Sequence, residues 1–162
     1  MKLLLSILLA GLVQILAAQP SIGLRTVGFE DLDSLMRSDE RPVAVFLHAD
    51  WCRYCAHMLA TTFRDQGVVD RLDQSYYFVA FNGESREPVN WRGRQYVFRP
   101  RGRNTGVHTL AEALGSMDDG TFSYPTFILL SPEYEVLFRY PAFLSADQMR
   151  RILDAGRRPP SG

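Results

Sequence analysis

Val43-Ala44-Val45-Phe46-Leu47-His48-Ala49-Asp50-Trp51-Cys52-Arg53-Tyr54-Cys55 is the stretch that decides the fold. Val43 to Leu47 is a continuous apolar run, the pattern of a strand covered on both faces. Cys55, Met58, Leu59 and Thr62 then recur at helical spacing, which predicts a helix beginning near the cysteines. Cys52 should therefore sit at a helix N-terminus, where unpaired backbone N–H groups and the macrodipole favour an anion. A thiolate is such an anion, and it is the nucleophile of disulfide exchange. Cys55, one helical turn on, is placed to attack a mixed disulfide and release the product. The helix end contributes ~0.3–2 kcal/mol, which lowers a thiol pKa by at most about 1.5 units. Arg53, next to the nucleophile, is the candidate for any further stabilisation of the thiolate.

The chain has only these two cysteines. A bridge that merely braces the fold is the bland alternative, but closing so short a loop stabilises by only about 2 kcal/mol, against ~4.7 for a loop of a hundred residues. A metal site is the other rival: two thiolates with His48 or His57 could bind Cu(I) or Zn(II). The second cysteine pair of a zinc signature is absent, so no metal is expected.

Working outward, Leu24 to Val27 reads as a short edge strand. Phe29, Leu32, Leu35 and Met36 recur at helical spacing. Tyr76 to Phe81 is a second buried strand. An arginine-rich stretch follows, about residues 83–104. Within it Val89 to Phe98 predicts a hairpin turning at Arg92–Gly93. Val107, Leu110, Ala111 and Leu114 predict a helix that Gly115 closes. Ser123-Tyr124-Pro125-Thr126 precedes a third buried strand, Thr126 to Leu130, where proline can start a strand without forfeiting a ladder bond. Val136 to Tyr140 is a more polar, edge-like strand. Ser145 and Gln148 form a capping box for the last helix, whose apolar face is Met149, Ile152 and Leu153. Strands separated by helices predict parallel pairing with right-handed crossovers, and the final two strands predict an antiparallel hairpin. The expected class is α/β, a three-layer α/β/α sandwich with a mixed central sheet and a hairpin-like insertion after the second buried strand.

The chain has 162 residues, 46% hydrophobic and 22% charged, which is a globular composition for one domain. Eighteen basic residues balance eighteen acidic ones, so nothing points to nucleic acid. Residues 1–18 read as a signal peptide: Lys2 is a positive start, Leu3 to Ala18 is mostly apolar, and Ala17 and Ala18 are small. The run is shorter than the ~20 residues that span a bilayer, so no stable membrane insertion is expected after cleavage. Residues 19–156 are the expected domain and 157–162 a flexible tail. Export predicts a periplasmic or secreted protein in an oxidising compartment.

Trp51-Cys52-x-x-Cys55 after a buried strand, with Tyr124-Pro125-Thr126 before a later one, resembles the thioredoxin superfamily. The resemblance runs from about Leu24 to Gly156. The subgroup it is most similar to is the exported bacterial thioredoxin-like proteins, through His48-Ala49-Asp50-Trp51-Cys52, Asn82, Arg103-Asn104 and His108 to Ala111. It implies a thioredoxin fold, Cys52 and Cys55 as the catalytic couple, and a cis Pro125 against them. Trp51, Arg53 and Tyr54 would support the couple, and Tyr124 and Thr126 would lie on the substrate side. No cofactor beyond the redox-active disulfide is implied. The implied function is thiol–disulfide oxidoreductase acting on protein thiols and disulfides, with a membrane electron-relay protein as electron source. A disulfide isomerase-like folding factor and a thioredoxin-fold protein-binding module are the alternatives.

Three positions depart from the family pattern. Phe46 stands where thioredoxins usually bury an acid, and Arg53-Tyr54 replaces Gly-Pro. The six arginines 86, 92, 94, 99, 101 and 103 and the aromatics Trp91, Tyr96 and Phe98 are expected to flank the active site and help choose the partner. A solvated hairpin is the plain reading of the same stretch. His108 reads as a helix-surface histidine.

Overall fold

The computed structural model describes residues 23–157. The expected signal peptide and most of the expected tail lie outside the described residues. Four strands form the central sheet: β1 (Val43–His48), β2 (Tyr77–Asn82), β7 (Thr126–Leu130) and β8 (Val136–Tyr140), in the order β2-β1-β7-β8. Two small hairpins lie between β2 and β7. They are β3 (Val89–Trp91) with β4 (Arg94–Tyr96), and β5 (Phe98–Pro100) with β6 (Gly106–His108). The helices are α1 (Phe29–Ser38), α2 (Arg53–Ala60), α3 (Gln66–Ser75), α4 (Thr109–Gly115) and α5 (Ala146–Gly156).

Alternate residues of each strand feed opposite faces, as the pleat requires. From β1, Ala44 and Phe46 enter one core, and Val43, Val45 and Leu47 enter the other. The first core takes Met58 of α2, Val68 and Leu72 of α3, and Met149 and Leu153 of α5. The second takes Phe29 and Leu32 of α1 and Leu110, Ala111 and Leu114 of α4. This is the three-layer arrangement that the unbroken apolar runs predict, because a strand covered on both faces has no polar side.

The pairing differs in one respect from the parallel expectation. β1 and β2 are parallel, but β7 runs antiparallel to β1, with Phe46 opposite Phe127. The long excursion between β2 and β7 leaves the sheet and re-enters it at the same end, since Leu47 lies opposite both Phe81 at the end of β2 and Thr126 at the start of β7. β7 and β8 form the expected antiparallel pair, with a bulge between Leu129 and Leu130. Leu24 to Val27 does not form a strand; it is an extended segment whose Val27 N–H donates to Phe78 O (2.9 Å) at the β2 edge.

Boundaries shift where a polar group offers the backbone another partner. α2 stops at Ala60, Leu59 faces outward, and Thr62 opens a 3₁₀ turn with its hydroxyl donating to Leu144 O (2.7 Å). Asp65 then caps α3, a helix that the spacing did not reveal, by accepting from the Val68 N–H (3.0 Å). Val107 belongs to β6, not to α4. The Ser145–Gln148 capping box is present, with reciprocal bonds of 2.9 and 3.4 Å. At Arg92–Gly93 both residues have positive φ, 52° and 70°, as the tight hairpin between β3 and β4 requires.

Candidate active site

β1 ends at His48, and a short turn with Cys52 N–H donating to Ala49 O (3.0 Å) leads into α2. Cys52 is the N-cap of that helix, with extended backbone (φ −77°, ψ 104°). Its Sγ accepts a hydrogen bond from the Cys55 N–H at 3.1 Å. A sulfur in the place where Ser, Thr or Asp usually cap receives an otherwise unpaired helix donor. Cys52 and Cys55 are joined in a disulfide, with Cα atoms 5.2 Å apart. Cys52 retains 4% exposure and Cys55 only 1%. Both cysteines are buried, and Cys52 is the slightly more exposed of the two.

The flanking residues differ in exposure. Trp51 is 68% exposed and Tyr54 67%, two large aromatic surfaces presented to solvent on either side of Cys52. Arg53 is exposed in the first turn of α2. The Tyr124–Pro125 peptide is cis. Pro125 is buried and leads directly into β7. The Tyr124 ring packs against the core that holds both cysteines and meets Trp51 edge-to-face (6.0 Å) and Phe122 likewise (5.0 Å). Its hydroxyl is buried with no hydrogen-bond partner among the described residues. Burial pushes the Tyr124 phenol well above the usual range. The negative charges of Glu84 and Glu112 push it further, opposed by Arg101. Thr126, expected on the substrate side, is instead fully buried, and its hydroxyl donates to Ser123 O (2.7 Å). It holds the loop before β7 in shape and is closed off from a bound chain.

A polar chain ties the cysteine loop to the end of β2. Asn82 Nδ2 donates to Asp50 Oδ1 (3.0 Å), the Glu84 N–H donates to Asn82 Oδ1 (2.9 Å), and Trp51 Nε1 donates to Glu84 Oε1 (3.0 Å). Sequence reasoning missed Glu84. Its only signal is a short polar run directly after a buried strand that is the parallel neighbour of β1. Phe46 lies fully buried in the core that holds the cysteines, its ring against Phe63 (4.7 Å) and His48 (5.6 Å). An aromatic ring thus fills the position of the family's usual carboxylate.

The histidines have other partners. Burial lowers the His48 pKa, partly offset by Asp50. His57 stacks on Phe143 (5.3 Å). Among the described residues no three His, Cys, Asp or Glu side chains come together as a metal site. His108 is fully buried rather than on a helix surface. It caps α4, its Nδ1 accepting from the Leu110 N–H (3.2 Å) while Nε2 bonds Glu87 O (3.2 Å). Burial lowers its pKa, opposed by the Glu87 carbonyl.

The arginine-rich insertion divides in two. Trp91 is buried in the second core against Phe29 (5.1 Å) and Tyr134 (5.0 Å), and Arg92 lies over Tyr134 (5.2 Å). This first hairpin braces the α1 layer and does not flank the cysteines as expected. The second hairpin does reach the site, because Arg101 and Val107 line a cleft with Trp51, Phe122 and Tyr124.

A disulfide at a helix N-terminus, with a cis-proline loop alongside on a mixed four-stranded sheet, defines a thioredoxin fold. The chain belongs to the thioredoxin-like family, whose sequence model, described as a thioredoxin-like domain, matches residues 29–157. No curated protein sequence matches the chain. Among solved structures, it is similar to a DsbH oxidoreductase, at TM-score 0.58 and 15% identity, covering 90% of this chain and 94% of that one. A thioredoxin from Thermus thermophilus matches at 0.58 and 19%, covering 82% and 86%. A putative disulphide-isomerase from Bacteroides thetaiotaomicron matches at 0.56 and 16%, covering 83% and 91%.

Proposed function

We propose that this chain is an exported thiol–disulfide oxidoreductase acting on protein substrates through the Cys52–Cys55 couple. The observation that carries the reading is the disulfide at the N-terminus of α2, with the Cys52 sulfur accepting from a helix N–H and Cys55 the more deeply buried of the two. In the reduced protein the Cys52 thiolate attacks one sulfur of a client disulfide. A Cys52–client bond forms, and the client's other sulfur leaves as a thiolate. Cys55 gives up its proton and attacks Cys52 Sγ. The Cys52–Cys55 bond forms, and the client departs as a dithiol carrying two electrons. A membrane relay protein supplies a fresh pair of electrons that reduces the Cys52–Cys55 disulfide back to the dithiol, and the cysteine pair is the only carrier the reaction needs. Run backward, the same steps oxidise a client dithiol. Trp51 and Tyr54 offer aromatic surface beside the reacting sulfur, and Tyr124 and Pro125 border it from the loop before β7.

An exported location agrees with the apolar N-terminal segment. Among the described residues no helix is long and apolar enough to cross a membrane. Incubating a disulfide-bonded peptide with each reduced single variant tests the reading. Cys55→Ser should accumulate a mixed disulfide visible by intact mass, and Cys52→Ser should neither turn over nor trap. Full turnover by Cys52→Ser would reject the assignment, and a client held equally by both variants would favour the binding-module alternative.

A further inference from the structure

The second hairpin leaves a feature that disulfide exchange alone does not require. A cleft of about 400 Å³ opens beside Trp51, the residue before Cys52. That volume lies within the ~300–1,000 Å³ range of ligand-holding clefts. Its apolar walls are Trp51, Val107, Phe122 and Tyr124, and Arg101 stands among them. The three rings are ordered by edge-to-face packing, Trp51 on Tyr124 (6.0 Å) and Tyr124 on Phe122 (5.0 Å). They are therefore a preformed surface for another aromatic ring.

The charge at this cleft is divided between its two sides. Arg101 pairs with Glu112, and Arg99 reaches the other oxygen of the same carboxylate (3.4 Å). On the hairpin side one carboxylate faces two guanidiniums, while Glu84, held by Trp51 Nε1, supplies negative charge on the other side. The hairpin itself, Phe98 to His108, adds Arg103 and contains no acid. The Glu112 side chain is 17% exposed and Arg101 is 58% exposed, so the positive group is the one that meets an incoming chain.

We infer that this cleft selects clients, taking an extended segment that carries an aromatic side chain with a carboxylate next to it, adjacent to the client's reacting cysteine. The inference rests on the oxidoreductase reading above. The aromatic side chain enters between Trp51, Phe122 and Val107, and the carboxylate meets Arg101 at the rim. Selectivity then comes from the walls of the cleft and not from the cysteines.

Four disulfide-bonded peptides test this, with Phe-Asp, Ala-Asp, Phe-Lys or Ala-Lys beside the reacting cysteine and a small dithiol supplying electrons. Phe-Asp should be reduced with the highest kcat/KM. An exposed ion pair is worth about 2–5-fold in rate, so Asp should exceed Lys by at least that factor at low salt. Raising the ionic strength to about 0.5 M should shrink the Asp preference while leaving the Phe preference in place. Arg101→Glu should invert the Asp preference, and Glu112→Gln, which releases Arg101 and Arg99 from their shared partner, should enlarge it. Loss of either preference in the wild type, or an Asp preference of unchanged sign in Arg101→Glu, overturns the cleft assignment alone. A wild-type protein that reduces none of the four peptides overturns the oxidoreductase reading and this inference with it.

Discussion

Replacing Gly83 by alanine should displace the loop that borders the disulfide. Gly83 follows β2, and its N–H donates to His48 O (2.8 Å) while its carbonyl accepts from the His108 N–H (2.7 Å). A Cβ built there would lie 2.6 Å from Tyr124 Cε1 and 2.7 Å from Cζ, and would also strike the hydroxyl. Ordinary carbon contacts are about 3.5–4.0 Å, so the ring has to retreat by roughly 1 Å. It cannot swing freely, because Phe122 and Trp51 hold it edge-on and Pro125 follows it. Overpacking of this kind costs about 1–3 kcal/mol, and at about 4 °C per kcal/mol Tm should fall by about 4–12 °C. Since a 1 Å misplacement near the chemistry can cost ~10²-fold, turnover of a disulfide peptide should drop at least tenfold. A double-mutant cycle isolates the cause. In a Tyr124→Ala background the same Gly83→Ala change should be neutral or stabilising by about 0.4–1 kcal/mol, since the φ of Gly83 is not positive and alanine only restricts the unfolded chain. Thermal melts by circular dichroism and peptide turnover for all four proteins complete the cycle. Equal effects of Gly83→Ala with and without Tyr124 would refute the proposed contact.

Arg53→Ala should raise the Cys52 pKa in the reduced protein, because a positive charge beside the helix tip is removed. The pH dependence of iodoacetamide alkylation reads this, and an unmoved curve rejects the role of Arg53. His108, with its pKa below the usual 6.5, favours the neutral ring in the folded state. Its contribution is complete above about pH 6.5 and declines as pH falls below it, since the unfolded chain then binds the extra proton. His48 has the same sign. His108→Asn, which keeps a capping side chain, should therefore lose less stability than wild type between pH 7 and pH 5 in urea titrations, and parallel losses would count against the buried cap. Ser145→Ala removes one half of the α5 capping box and should cost about 0.5–2 kcal/mol while leaving the reduction potential of the cysteine couple where it was. A shifted potential would show that α5 reaches the redox site.

Local chemistry was legible from the sequence wherever the deciding force acts over a few residues. Val43 to Leu47 and Thr126 to Leu130 declared themselves as doubly covered strands. Arg92–Gly93 declared a tight turn, Ser145 with Gln148 a helix start, and Cys52 a sulfur at a helix tip. Each reading depends on hydrophobic periodicity, φ preference or a capping bond within one turn of chain. The reversed direction of β7, the burial of His108 and Thr126, and the Trp51–Glu84 bond depend on which distant segments meet, and no local pattern carries that. The same holds for the arginines: their number was plain in the sequence, but packing alone decided that Arg92 lies over Tyr134 in the far layer while Arg101 stands at the cleft beside Trp51. Side-chain type is set by the chain, and the partner it meets is set by the fold, because burial and pairing energies act only between groups that the sheet and its crossovers have brought together.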